Sequence, residues 1–281
     1  MSREKLGYRL QAADYGSSAP GPSSVSCEGV GPSRCGTGRL GRLTFSLALA
    51  CLARTAAASD VRALLEKADA YRLDPGAAQV SVRVEVHKDG KLDKERQYLV
   101  YWRPGRRSLV LSRSPVEKGQ KVLMLGDDFW IVLPSSQRPI RITPAQKLLG
   151  DAASGDVATM TWAEDYDGEI GGEVEVNGVA CFRLDLEAQR RGVTYHRLEL
   201  YLARSDARPV QADLYVASER LAKRATFEMT TEEGRPRVSA MKLVDRIQTN
   251  RETLIRYLSR SPRSIGDEYY NPMFLTRHDP D

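Results

Sequence analysis

From residue 79 the chain alternates: Val80, Val82, Val84 and Val86 are separated by Ser81, Arg83 and Glu85. That period of two puts one face of a strand into a core and the other into water. Comparable runs lie near residues 95–103, 108–113, 121–125, 128–133, 138–142, 168–176, 179–187, 193–203, 209–216, 221–230, 236–246 and 252–259. With some merging, these predict about 11 strands. Turn sequences separate them, among them Lys88-Asp89-Gly90-Lys91, Arg103-Pro104-Gly105-Arg106, Asn177-Gly178 and Glu232-Glu233-Gly234, and such short connections join antiparallel neighbours. The simplest topology is one long meander. Ahead of it, Asp60 to Tyr71 spaces its apolar residues for a helix that Pro75-Gly76 ends. A second helix is expected at Thr143-Pro144-Ala145-Gln146-Lys147-Leu148-Leu149, opening an irregular insertion that runs to Thr159. So many strands in one sheet must curl, and two short helices cannot cover both faces. The expected fold is therefore mainly β: an incomplete antiparallel β-barrel with short helices on its concave side, in one domain over residues 59–281.

The front of the chain follows another logic. Arg39 and Arg42 precede the apolar run Leu43 to Ala53, and Arg54-Thr55-Ala56-Ala57-Ala58-Ser59 follows with small residues that suit a signal peptidase. Residues 39–58 are thus expected to be a secretory signal peptide. The apolar run is far shorter than the roughly 20 residues a spanning helix needs. Residues 1–38, rich in Gly, Ser and Pro without apolar periodicity, are expected to be a disordered extension or an artefact of the start site. Residues 1–58 also hold seven of the 42 Lys/Arg and three of the 37 Asp/Glu. The formal charge of +5 therefore belongs mostly to the front, and the body is nearly neutral. Of four cysteines, Cys27, Cys35 and Cys51 fall in this front, which leaves Cys181 alone in the body as a small packing residue. An alternative is a lipoprotein acylated at Cys51, but Ala48-Leu49-Ala50 sets its leucine one place off, and the alanine-rich site downstream competes.

Little in the body carries chemistry. Gly36-Thr37-Gly38-Arg39-Leu40-Gly41 matches a dinucleotide fingerprint without the preceding strand that would make it a phosphate cradle. His87, His196 and His278 are far apart and lack metal-ligand spacing. Asp127-Asp128 and Asp165/Asp167 could pair for acid–base work, yet both adjoin glycine where strands reverse, so they read better as turn residues. The common serine-nucleophile motifs do not occur. No catalytic residue, metal or cofactor is expected, and the chain is not read as an enzyme. The stretch Arg96 to Arg103, with Arg106, Arg107 and Arg113, mixes bases and aromatics, but alternation splits the aromatics between two faces and export argues against nucleic acid. Either a basic rim facing anionic headgroups or a merely solvated face fits it.

The stretch Lys118 to Ile142, with Leu125-Gly126-Asp127-Asp128-Phe129-Trp130 at its centre, resembles the signature of the outer-membrane lipoprotein-sorting proteins. Leu148-Leu149-Gly150, Gly155-Asp156 and Asp165-Tyr166-Asp167 extend that resemblance, which runs from about residue 60 to 260. The family is similar to the LolA and LolB carriers of the Gram-negative periplasm, so the resemblance implies an incomplete barrel closed by a helical plug. It also implies lipid binding and lipoprotein transport, with transient membrane contact and, for many members, an inner-membrane exporter of the resistance-nodulation-division (RND) type as partner. At about 0.8 kcal/mol per methylene, a ~16-carbon chain costs on the order of 10 kcal/mol to bring into water, so a carrier must supply an apolar lining. Val82, Val84, Val86, Leu198, Leu200, Leu202, Leu214, Phe227 and Met229 are the candidates. Alternation alone cannot separate such a cavity from an ordinary filled core. The alternative is a non-catalytic adaptor subunit of an RND-type lipid exporter, its barrel filled and its rim used for protein contact.

Overall fold

The computed structural model of this chain describes residues 60–149, 152–158, 161–247 and 250–280, all within a compact unit that spans Phe45–Asp281. The expected signal peptide, the segment before it and Cys27, Cys35 and Cys51 lie outside the described residues. A helix over residues 60–70 (α1) leads into six strands: β1 (Ala78–Lys88), β2 (Lys91–Arg103), β3 (Arg107–Ser112), β4 (Lys121–Leu125), β5 (Asp128–Val132) and β6 (Ile140–Ile142). Next come a small ladder of β7 (Lys147–Leu149) and β8 (Ala152–Ala153) and two one-turn helices, α2 (Ser154–Val157) and α3 (Trp162–Asp165). Seven strands complete the chain: β9 (Tyr166–Val176), β10 (Val179–Ala188), β11 (Arg197–Ala203), β12 (Pro209–Tyr215), β13 (Leu221–Glu232), β14 (Arg235–Asp245) and β15 (Arg251–Pro262).

Thirteen of these strands form one open antiparallel sheet in the order β6-β5-β4-β3-β2-β1-β15-β14-β13-β12-β11-β10-β9. The runs expected to merge stay separate, which raises the count above the expected 11. The meander is double rather than single, because β1 pairs with both β2 and β15 and so joins two wings of the sheet. The free edges, β6 and β9, therefore come from mid-sequence. The helix expected at Thr143–Leu149 does not form. Pro144 and Ala145 make a turn closed by the Gln146 N–H donating to Thr143 O at 3.0 Å, and Lys147–Leu149 pairs with Ala152–Ala153 as a strand. The ring of Pro144 suits the second residue of a turn as well as a first helical turn, and so short a stretch cannot bear the cost of helix nucleation.

Burial follows the alternation. In β1 Ala78, Val80, Val82, Val84 and Val86 are buried while their neighbours are not. They share one cluster with Val61, Leu65 and Ala68 of α1, Val157 of α2, Trp162 of α3 and Leu184, Leu198 and Leu200 from the other wing. The helices thus plug the concave face. The convex face of β2 to β5 carries a second cluster, in which Leu99, Tyr101, Leu109, Leu111 and Leu123 are covered by Tyr270 and Leu275 from the segment after β15. Tyr98, Val100 and Trp102 belong to the first cluster and Leu99 and Tyr101 to the second, so the second half of β2 is buried on both sides.

Candidate functional site

The plug is held by buried charges. α3 has no side-chain cap of its own, since Thr161 at its N-cap makes no such bond. Asp69 of α1 supplies it: Oδ2 accepts the N–H groups of Trp162 and Ala163 at 2.8 and 2.9 Å, while Oδ1 accepts from Arg72 at 3.1 Å. Two of the helix's orphan donors are thereby satisfied from outside it. The Arg72 guanidinium stacks 3.9 Å over the Trp162 ring, which also packs edge to face on Phe227 of β13 at 5.7 Å. From α2, Asp156 accepts from Tyr195 Oη at 3.0 Å and from Lys223 Nζ of β13 at 3.3 Å.

Arg106 provides the third fastening. Its guanidinium donates to Asp165 Oδ1, to Gly192 O at 2.9 Å and to Gly126 O at 3.2 Å, and lies 3.4 Å from Asp127. One side chain thereby ties the β2–β3 and β4–β5 turns of one wing to α3 and to the β10–β11 loop of the other. Gly192 is required there, because a Cβ at this position would stand 2.5 Å from Asp127 Cα. Asp165 is therefore a buried partner at the end of α3 rather than the turn residue expected, whereas Asp127 does occupy a turn.

Burial raises the Asp69 carboxyl above its ordinary pKa of 3.8, against the opposing pull of Arg72 and the two amides. A raised folded-state value means that the folded chain holds this proton more tightly than the unfolded one. The corresponding stability is complete below pH 3.8 and is lost as the pH climbs through the raised value. Asp69→Asn is expected to remove this slope. Thermal midpoints of the two proteins, followed from about pH 3 to about pH 7, check it, and parallel curves would show that Asp69 contributes no such term.

Two spaces adjoin the plug. Beneath it, a cavity of about 50 Å³ is bounded by Arg72, Asp156, Trp162, Tyr166, Leu198 and Phe227 among others, which is room for a few waters and not for an acyl chain. Above it, a cleft of about 700 Å³ opens between the end of α1, the β2–β3 turn and the start of β14. Leu73 and Trp102, both buried members of the concave cluster, line this cleft together with Tyr71, Pro75, Pro104 and Pro236. Its charged lining includes Lys67, Arg235, Arg237, Glu66 and Asp206. Arg237 holds the cleft's α1 wall, donating to Ala70 O, Leu73 O and Asp74 Oδ1 at 3.1, 2.7 and 2.5 Å.

The nine residues expected to line a cavity divide accordingly. Leu198, Leu214 and Phe227 border the small cavity. Val82, Val84, Val86, Leu200 and Leu202 are buried in the concave cluster, and Met229 is half-buried. None of the nine lines the larger cleft. Sequence reasoning missed Asp69, Arg72, Trp162 and Lys223, and it set Arg106 on a basic rim or solvated face whereas Arg106 is buried. A signal existed for Asp69 alone: it sits four residues after Leu65, on the helix stripe that should be apolar. Arg106 gave none, because its partners come from segments remote in sequence. The proposed basic rim is mostly paired, Arg96 with Glu117 at 3.3 Å and Arg103 with Asp267 at 2.6 Å. Among the described residues, no group of three metal-ligating side chains occurs and no helix is long and apolar enough to cross a membrane.

An open antiparallel barrel with a helical plug fastened to its concave face defines the class: this is a LolA-like protein. A family model described as "Uncharacterized protein" matches residues 105–277, and the chain belongs to that family. The solved structure of a LolA superfamily protein from Nitrosomonas europaea is 27% identical, with a TM-score of 0.70 over 75% of this chain and 96% of its own. A DUF1329 family protein from Desulfovibrio piger is 20% identical (TM-score 0.65, 78% of this chain and 99% of its own). A domain designated outer membrane lipoprotein-sorting from Vibrio parahaemolyticus is 17% identical (TM-score 0.62, 77% and 98%). These last two share the fold. No curated protein matches the chain.

Proposed function

We propose that the protein is a periplasmic carrier or binding protein for lipids or lipoproteins, which takes acyl chains into the concave side of its barrel and passes them between membrane partners. The observation that carries this reading is the cleft of about 700 Å³ floored by Leu73 and Trp102 at the edge of the plug. Its size falls in the range of roughly 300–1,000 Å³ typical of small-molecule sites, and an apolar floor with a charged lip matches the two ends of an amphiphile. The apolar floor supports binding rather than catalysis as the reading of this cleft. The interior below is filled in this state, so an acyl chain starts in the cleft and goes deeper only as α2 and α3 shift. The candidates Leu198, Leu214 and Phe227 would be the first concave residues exposed by that shift.

Native mass spectrometry of the gently purified full-length chain tests the reading, and bound phospholipid or acylated peptide is expected. Ala70 is exposed on α1 and lines the cleft, so Ala70→Trp obstructs part of it without touching the core and is expected to cut bound lipid about tenfold. A lipid-free wild-type chain would remove the carrier. The filled interior favours one other reading, the adaptor subunit of an RND-type exporter, and a lipid-free chain that binds an exporter's soluble domain would select it.

A further inference from the structure

The two free edges of the sheet differ. β6 is three residues long, with Pro139 just before it and Pro144 two places after it, and so offers almost no ladder to a neighbour. β9 runs for 11 residues without a proline, and residues 169–175 are all exposed. Among the described residues its backbone pairs with β10 alone. Two of its backbone groups are met by side chains: Gly168 N–H donates to Asp167 Oδ1 at 2.8 Å, and Gly171 O accepts from Arg183 at 3.1 Å. A bulge at Gly171 divides the edge into Asp167–Ile170 and Gly172–Val176. Ile170 lies opposite Leu184 and Val174 opposite Cys181, three places apart on β10, so the edge shows an aliphatic on each face, 41% and 40% exposed.

Charge selects the occupant of this edge. From Tyr166 to Gly178 the chain holds Asp167, Glu169, Glu173 and Glu175 and no Lys or Arg. Arg204 engages Glu173 at 2.6 Å, while Asp167, Glu169 and Glu175 have no ion pair among the described residues. β10 adds to the excess, since Asp167 lies opposite Glu187 and Glu169 opposite Asp185. The adjoining cations are occupied, Arg183 by Asp185 at 3.0 Å, Arg197 by Glu199 at 2.9 Å and Arg190 by Asp127 at 3.9 Å, and Arg191 is an exposed loop residue beyond β10. Laid against the same edge of a second copy, β9 would set acids against acids, which disfavours pairing. A strand that carries cations reverses the sign. We propose that the free edge of β9 is a strand-addition site for an extended, Lys- or Arg-bearing segment of a protein partner. Main-chain hydrogen bonds to the open ladder supply affinity, the acids select a cationic segment, and Ile170 and Val174 are covered as it docks. The inference goes beyond the carrier reading and is independent of it, because no residue of β9 lines the cleft.

Hydrogen exchange of the full-length protein tests it. The probe is a synthetic peptide of alternating lysine and valine, about ten residues long, and its glutamate–valine counterpart is the control. The lysine peptide is expected to slow exchange over residues 167–176 about tenfold or more, and the glutamate peptide to leave it unchanged. Protection of backbone amides separates strand addition from charge attraction alone. Salt at about 1 M, where the screening length falls to about 3 Å, is expected to erase the preference for lysine. The triple variant Asp167→Lys, Glu169→Lys, Glu175→Lys is expected to bind the lysine peptide about tenfold or more weakly, with an unchanged circular dichroism spectrum. Should that variant fail to fold, Glu169→Lys with Glu175→Lys provides the same readout. A lysine peptide that leaves exchange in β9 unchanged, or two peptides that slow it equally, would overturn the proposal. Protection of β9 that grows with protein concentration in the absence of peptide would make a second copy the occupant and also overturns it.

Discussion

Arg106→Ala is expected to destabilise the protein by about 3–5 kcal/mol, because it strands the carboxylate of Asp165 in a site with no access to water. Asp165 is 0% exposed, and its second oxygen has no partner among the described residues, so the guanidinium is its principal compensation. The same substitution frees Gly192 O and Gly126 O and loosens the tie between the two wings of the sheet. Burial disfavours the charged form of Arg106 itself, with Asp127 opposing that effect. A buried pair of this kind contributes little net stability compared with apolar residues of like volume, although breaking it is costly. The double variant Arg106→Met, Asp165→Leu is therefore expected to recover most of the loss. Urea denaturation of the three proteins measures this, and a single-variant cost below about 1 kcal/mol would show that the pair is hydrated.

Leu275→Ala is expected to cost about 2–5 kcal/mol, the range for truncating a fully buried leucine. The size of the effect is notable because residue 275 lies in a single 3-10 turn, Phe274–Thr276, after the last strand, where substitutions are ordinarily tolerated. Leu275 is 0% exposed, packed in the convex cluster with Leu99, Leu109 and Leu123. Lys121 of β4 fixes the segment from below, its Nζ donating to Leu275 O at 2.6 Å and to His278 O at 2.8 Å and pairing with Asp279 at 3.0 Å. Arg103 contributes at the near end, pairing with Asp267 and lying 4.5 Å over the Tyr270 ring. Loss of this cover would leave Tyr101 and Leu111 in water, so hydrogen exchange in β2 and β3 should accelerate alongside the drop in stability. A change under about 0.5 kcal/mol would mean that the segment rests on the sheet without stabilising it.

Much of the architecture was legible because alternation is a local property. Val80 to Val86 and Leu198 to Leu202 announce which side chains go inward whatever they meet there, and turns such as Asn177-Gly178 announce where the chain reverses. Asn177 and Gly178 do adopt the positive φ that such a turn needs, 51° and 78°. The expected helix at Thr143 failed for a matching reason. Over seven residues, local preference is too weak to choose between a helical turn and a two-strand ladder, and contacts from elsewhere in the chain decide.

By itself, then, the sequence determined the strands, the inward face of those such as β1 and β11 and the presence of a helix ahead of the sheet, since all of these follow from the spacing of apolar residues within one segment. The pairing of β1 with β15, the ion pair between Arg106 and Asp165, the capping of α3 by Asp69 and the cover that Leu275 lays over the convex face were decided only by the tertiary structure. Each joins groups far apart in the chain, and no periodicity records a partner. The same limit applies to the site, because apolar spacing specifies a lining, whereas the volume left inside it depends on how closely the plug is drawn against the sheet.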